Sequence, residues 1–186
     1  MYPSFMKVRA ALIVLCLVVA SGCAMRRDVV FLDERIDAVE TLMDGGKADM
    51  VFTDPPYNVR IPGHAQGRGR IKHPNFAVGA GEMDAEEYHA FLKTCLGLAA
   101  GVSRNGAVHY VCMDWRHMRE LMTAGYAAYS ELKNLVVWNK DNGGMGTFYR
   151  SKHELVFVFK NGTAAHINNF GLGEKGRYRT NVWDYA

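Results

Sequence analysis

Ala48-Asp49-Met50-Val51-Phe52-Thr53-Asp54-Pro55-Pro56-Tyr57 is the stretch on which the reading of this chain turns. Met50 to Thr53 have the apolar, β-prone character of a buried strand, and Asp54 to Tyr57 close it. Each proline fixes φ near −65° and lacks a backbone donor, so the turn is stiff and its carbonyls are left as acceptors. Asp54 adds a carboxylate acceptor, and Tyr57 adds an aromatic face. Two converging acceptors suit the two N–H donors of an amino group on a flat ring. Binding both hydrogens draws the nitrogen lone pair out of conjugation and makes it nucleophilic. The plainer alternative is an ordinary proline turn at the end of a strand.

Asp54-Pro55-Pro56-Tyr57 matches at all four positions the (Asp/Asn/Ser)-Pro-Pro-(Tyr/Phe/Trp) motif of the amino-directed DNA methyltransferases. These enzymes modify adenine N6 or cytosine N4 with S-adenosylmethionine. The resemblance runs from about residue 47 to 185. Gly106 to Trp115 resembles the family's next core strand, Leu135 to Lys140 the strand after it, and Arg150 to Lys160 its hairpin strand. Arg177 to Tyr185 is similar to the segment that leads toward the cofactor half in the subgroup whose catalytic motif comes first. In that subgroup a His-Pro-Thr-x-Lys-Pro-like element and an Asp-Pro-Phe-x-Gly-x-Gly loop follow, and neither stands after Trp183, so the resemblance implies a C-terminally truncated catalytic domain. Gly171, Gly173 and Gly176 spell Gly-x-Gly-x-x-Gly, but polar Asn168 and Asn169 precede them where a nucleotide loop needs a strand. A recognition loop suits them better, and no cofactor-binding residue is assigned.

The resemblance implies a site-specific DNA methyltransferase domain. Asp54 and the Pro55 carbonyl would accept the amino hydrogens of a flipped base, Tyr57 would stack on it, and Pro56 would set the turn. Asp in the first position leans toward adenine. The implied cofactor is S-adenosylmethionine and the implied partner is DNA, with a missing C-terminal segment or second subunit to complete the cofactor side. Two other readings stay open: a catalytically silent DNA-binding remnant, and a lipoprotein-like module suggested by the N-terminus alone.

The chain has 186 residues, 49% hydrophobic and 22% charged, which suits one globular domain and excludes a disordered chain. A net charge of +3 says little by itself; its distribution says more. From Pro55 to Gly81 there is no acidic residue, while Arg60, Arg68, Arg70 and Lys72 occur with His64 and His73. The span is glycine-rich and follows the Asp54 turn, so it reads as a basic loop able to contact phosphates. Arg150, Lys152, Lys175, Arg177 and Arg179 are further candidates for backbone contact, against simple solvation. Cys16, Cys23, Cys95 and Cys112 fit neither a zinc spacing nor a disulfide ladder, and the histidines are scattered, so no metal site is expected. Buried reduced thiols suggest a reducing compartment.

Residues 1–25 pull the other way. Lys7 and Arg9 precede the apolar run Ala10 to Val19, followed by Ala20-Ser21-Gly22-Cys23, the layout of a secretory signal whose end resembles a lipoprotein processing site. The apolar run is too short to span a membrane comfortably. Export would separate a methyltransferase from DNA and cofactor. The N-terminus is therefore read as a misassigned start, residues 26–186 as the partial catalytic domain, and the location as cytoplasmic.

Along the chain, Asp28 to Leu32 suits a short strand and Glu34 to Met43 a helix. Asp84 and Glu87 have capping-box spacing at the head of a helix that buries Tyr88, Phe91, Leu92, Cys95 and Leu96 and ends near Asn105-Gly106. Strands are expected at 107–113, 132–138 and 154–159, with a helix capped by Asp114 between the first two. This alternation implies a Rossmann-like three-layer α/β/α fold, partial, with an antiparallel hairpin at one edge.

Overall fold

The computed structural model describes residues 13–14, 39, 41, 43–60, 79–144, 148–168 and 179–185. Asp28 to Leu32 and most of the helix expected from Glu34 lie outside these, although Val39, Thr41 and Met43 are helical. The described strands are β1 (Ile13–Val14), β2 (Ala48–Thr53), β3 (Ser103–Met113), β4 (Glu131–Asn139), β5 (His153–Lys160) and β6 (Val182–Asp184). Between them come α1 (Ala85–Gly101), a short 3-10 turn (Trp115–His117) and α2 (Met118–Ala128).

The sheet is mixed, in the order β1-β2-β3-β5-β4-β6. β2 runs parallel to β1 and β3, β5 is antiparallel to both β3 and β4, and β6 is parallel to β4. The β4–β5 hairpin is therefore not the edge expected of it: β5 is inserted between β3 and β4, and β6 lies outside β4. Asn181 and Asn139 secure that last strand, the first donating to Leu135 O at 2.9 Å and the second to the Asp184 carboxylate at 2.7 Å.

β5 reads Leu155-Val156-Phe157-Val158-Phe159, an unbroken apolar run, and all five residues are buried, as befits a strand flanked on both sides and covered on both faces. Side chains alternate between the two faces. Leu155, Phe157 and Phe159 join Val111, Met113, Tyr88, Leu92, Leu96, Leu121 and Ala124 in the core beneath α1 and α2. Val156 and Val158 join Cys112 and Val136 on the opposite side, with Phe52, Tyr110 and Trp183 against them. α1 and α2 thus cover one face. Gly125 lets α2 approach β5, for a β-carbon there would fall inside the Phe159 ring.

The capping box forms as read: Asp84 accepts from the Glu86 and Glu87 amides at 2.9 Å, and Glu87 accepts from the Asp84 amide at 3.0 Å. Such a cap is worth about 1 kcal/mol. The helix stops at Gly101, earlier than expected, because β3 starts four residues before its apolar stretch. Ser103 Oγ bonds Ala99 O at 2.7 Å, and Asn161 Nδ2 bonds Ala100 O at 3.0 Å. These links belong to residues whose polarity gave no strand signal.

His109, in the middle of β3, is fully buried, with Nδ1 2.9 Å from the Tyr129 hydroxyl. Burial lowers its pKa to about 4. Between that value and the ordinary 6.5, the unfolded chain takes up a proton that the folded chain refuses. Stability is therefore complete above pH 6.5 and declines as pH falls toward 4, by a limiting amount on the order of 3 kcal/mol. Urea midpoints at pH 7 and pH 4.5 should differ accordingly, and His109→Gln should flatten the difference. An unchanged pH slope in that variant would assign the acid sensitivity to other groups.

Candidate active site

The polar residues gather at one end of the sheet. β2 and β3 finish there with Asp54 and Asp114, while antiparallel β5 begins there with His153 and Glu154, opposite Asn139 and Trp138 of β4. Open α/β sheets bind ligands at this end. Asp54 is exposed and Pro55, Pro56 and Tyr57 are half-buried, so the turn is accessible and Tyr57 is not swallowed by the core.

Within the turn, the Tyr57 hydroxyl donates to the Asp54 carboxylate. Desolvation by the surrounding protein raises the Asp54 pKa above the ordinary carboxylate value; the Tyr57 bond opposes it, Glu154 adds to it and Lys140 opposes it. The Tyr57 phenol is held far above its ordinary value by burial and by Asp54, so it remains a donor. Lys140 and Glu154 form an ion pair at 2.5 Å. Glu154→Gln should therefore move the acidic limb of an Asp54-dependent pH–rate profile to lower pH, and Lys140→Met should move it to higher pH. Movement of both limbs in one direction would contradict this electrostatic account.

Cys112 lies close enough for Asp54 and Glu154 to bear on it, but burial, aided by those charges, pushes its thiol up to about 12. A thiol protonated at neutral pH is no nucleophile. Cys112 therefore offers no thiolate to this turn.

The turn is braced from beneath. Tyr88, fully buried on α1, donates its hydroxyl to Pro56 O at 2.8 Å and packs edge-on against His117. The Pro56 carbonyl is thus engaged from below and withdrawn from any ligand above the turn. Asn58, at φ 51°, a left-handed conformation Asn tolerates, is buried; its side chain donates to Met83 O at 2.9 Å and accepts from the Gly81 and Met83 amides at 3.1 and 3.2 Å. Arg60 Nε donates to Gly81 O at 2.7 Å, and Glu82 accepts from the Gly79 and Ala80 amides at 2.5 and 2.6 Å. Gly79, at φ +75°, could carry no β-carbon, which would stand 2.6 Å from Pro56 Cβ. The residues on either side of segment 61–78 are thus fastened to each other at the base of the turn.

In the sequence alone Asn58, Lys140 and Glu154 have no role at the site, and Tyr88 only that of a buried helix position. Only Asn58, directly following the motif, carried a local signal: a small polar residue at a tight turn. Asp114 caps the 3-10 turn, as expected, accepting from the Arg116 amide at 2.9 Å.

Of the expected DNA-contacting residues, Arg60 stands at the stem just described. Arg150 and Lys152 are exposed on the link between β4 and β5, and Arg179 is exposed before β6. Arg68, Arg70, Lys72, Lys175 and Arg177 lie outside the described residues, as do Gly171, Gly173 and Gly176.

S-adenosylmethionine needs polar partners for its carboxylate, ammonium and ribose. The cleft behind the turn is walled by Val51, Pro55, Phe91, Leu92 and Ala99, with the Thr53 hydroxyl and the Cys95 thiol as its polar side-chain groups. This apolar wall does not fit the cofactor's polar end. Among the described residues no cluster of three His, Cys, Asp or Glu suits a metal, and no helix is long and apolar enough to cross a membrane.

No curated protein matches the chain. Among solved structures, the crystal structure of the M1.HpyAVI-SAM complex is similar at a TM-score of 0.49 with 14% identity, covering 83% of this chain and 62% of that one. The crystal structure of M1.HpyAVI gives 0.49, 13%, 81% and 60%. The chain spans about three fifths of the length of these structures. The sequence profile of the N6/N4 DNA methylases matches residues 48–185, which takes in every strand from β2 to β6 and the whole Asp54 turn, and the chain belongs to that DNA methylase family.

Proposed function

We propose that this chain carries the base-binding half of a site-specific DNA methyltransferase, which moves a methyl group from S-adenosylmethionine to the exocyclic amino group of adenine or, as the second choice, cytosine. The observation that supports it is the Asp54-Pro55-Pro56-Tyr57 turn, standing accessible at the ligand-binding end of the sheet with its Pro56 carbonyl tied off below. A base within a duplex does not reach such a turn, so it is extruded at a cost of a few kcal/mol. The Asp54 carboxylate then takes one amino hydrogen, displacing the Tyr57 hydroxyl, and the Pro55 carbonyl takes the other. Tyr57 offers its ring to the base. The cofactor supplies an electrophilic methyl group. As the nitrogen acquires its fourth bond it becomes acidic, and Asp54, with its raised pKa, is the acceptor placed for the released proton.

The donor side falls to residues outside those described, to a further segment or to a second subunit. A three-layer arrangement and the motif-first subgroup belong to the same reading, as does a cytoplasmic location, where DNA and cofactor meet. A silent DNA-binding remnant is the second reading, favoured by the apolar cleft behind the turn.

The test is tritium transfer from labelled S-adenosylmethionine to DNA, followed by digestion to nucleosides, with the chain alone and with a separate cofactor-binding half added. Label in N6-methyladenine is expected once the donor half is present. DNA binding without label under either condition would establish the silent remnant. Arg68, Arg70 and Lys72 supply phosphate contacts in this reading. Replacing all three should reduce the slope of log affinity against log salt by up to about three, and an unchanged slope would remove them from the interface.

A further inference from the structure

Phe148 and Tyr149 are 87% and 81% exposed, the most exposed large hydrophobic side chains among the described residues. Single exposed aromatics are commonplace, but these two are paired edge-to-face, with ring centroids 4.4 Å apart. They stand on the link from β4 to β5, which emerges at the same end of the sheet as the Asp54 turn.

The base of this link is tied down. The Lys140 amide bonds Lys152 O at 2.8 Å, and the Gly144 amide bonds Ser151 O at 2.7 Å. The Arg150 guanidinium reaches back to Gly143 O at 2.8 Å and Gly144 O at 3.3 Å. The aromatic pair is therefore carried on a braced support. Its nearest charges are cationic: Arg150 and Lys152 follow the rings and are exposed, while the acidic residues bounding the link are Asp141 and Glu154, the latter paired with Lys140.

Water-exposed rings on a braced, cationic support suit a partner that offers flat apolar faces together with negative charge. Unstacked nucleic-acid bases joined by phosphates have that composition. An apolar protein groove would not call for the cations, and an acidic peptide would not call for two stacking faces.

We infer that Phe148 and Tyr149 form a stacking platform for unpaired DNA bases beside the catalytic turn, with Lys152 and Arg150 on the adjoining phosphates. This rests on the DNA-directed reading of the Asp54 site and adds to it a separate contact, made by the neighbours of the extruded base or by the strand opposite it. Extrusion leaves those bases without stacking partners, and the pair supplies faces to replace them.

The test compares the full chain with Phe148→Ala/Tyr149→Ala, Phe148→Tyr/Tyr149→Phe and Lys152→Ala, using a mixed-sequence single strand and the matching intact duplex. Each ring that stacks should contribute about five- to a hundredfold in affinity. The Ala double variant is expected to lose at least tenfold on single-stranded DNA, to lose little on the intact duplex, and to keep its salt slope. The aromatic exchange should retain wild-type affinity, and Lys152→Ala should reduce the salt slope by about one. Wild-type single-strand affinity in the Ala double variant would overturn the platform while leaving DNA binding intact. Failure of the wild type to bind any DNA would overturn the functional reading as well. If sedimentation instead shows the Ala variant losing self-association with unchanged DNA affinity, the pair is an interface between copies and the inference is wrong.

Discussion

In the proposed reaction, with the cofactor-binding half supplied, Asp54→Ala should lower the methyl-transfer rate by about 10²- to 10³-fold in single turnover, the range found when one preorganised polar group is removed from a reacting centre. The DNA complex should survive, because the phosphate contacts lie elsewhere. Asp54→Asn should be milder, since the amide oxygen can still accept an amino hydrogen while the side chain can neither carry a charge nor take up the released proton. The pH dependence carries the sharper signature. If Asp54 acts as a carboxylate as proposed, its pKa, raised by desolvation, should make the rate climb with pH through a limb that lies above the ordinary carboxylate range. Below that limb the wild type should converge on the variant. A limb absent from Asp54→Asn but present in the wild type would identify the titrating group; a limb that persists in the variant would assign it to another residue.

Tyr88→Ala should cost about 3–5 kcal/mol in urea unfolding, because it empties a fully buried ring site where α1 meets β3. Tyr88→Phe keeps the ring and removes only the hydroxyl that holds Pro56 O, so its stability cost should be about 0.5–1.5 kcal/mol. The two variants separate packing from positioning. If the hydroxyl sets the attitude of the turn, the Phe variant should lower kcat while leaving KM for DNA unchanged, at temperatures where it remains folded. A Phe variant with wild-type kcat would reduce Tyr88 to a core residue.

What was legible in the sequence was local. Two consecutive prolines after an apolar strand announce a stiff turn, and Asp84 with Glu87 announces a helix start, because the physics of both is contained within four residues. Leu155 to Phe159 announces a strand by its apolar run, although its interior place between β3 and β4 was not read from it. What was not legible depends on partners far along the chain. Tyr88 is one more apolar helix position until β2 brings Pro56 to it across 32 residues. Lys140 and Glu154 are unremarkable charges until the β4–β5 register brings them together beside Asp54. The apolar run containing Ile13 and Val14 has the pattern of a secretory signal, yet those two residues lie parallel to Val51 and Phe52; periodicity in a short apolar run does not separate these roles. β6, three residues long and polar at its approach, gave no pattern at all.

The fastening of Asn58, Arg60, Gly79, Gly81 and Glu82 to one another has a consequence for how such a protein diversifies. Closing a chain excursion whose ends are already pinned costs little more as it grows, about 0.6 kcal/mol for each doubling of length. Insertions, deletions and wholesale exchange between positions 61 and 78 should therefore leave the geometry of Asp54 to Tyr57 in place. The turn itself then rests on a foundation that such an exchange does not touch.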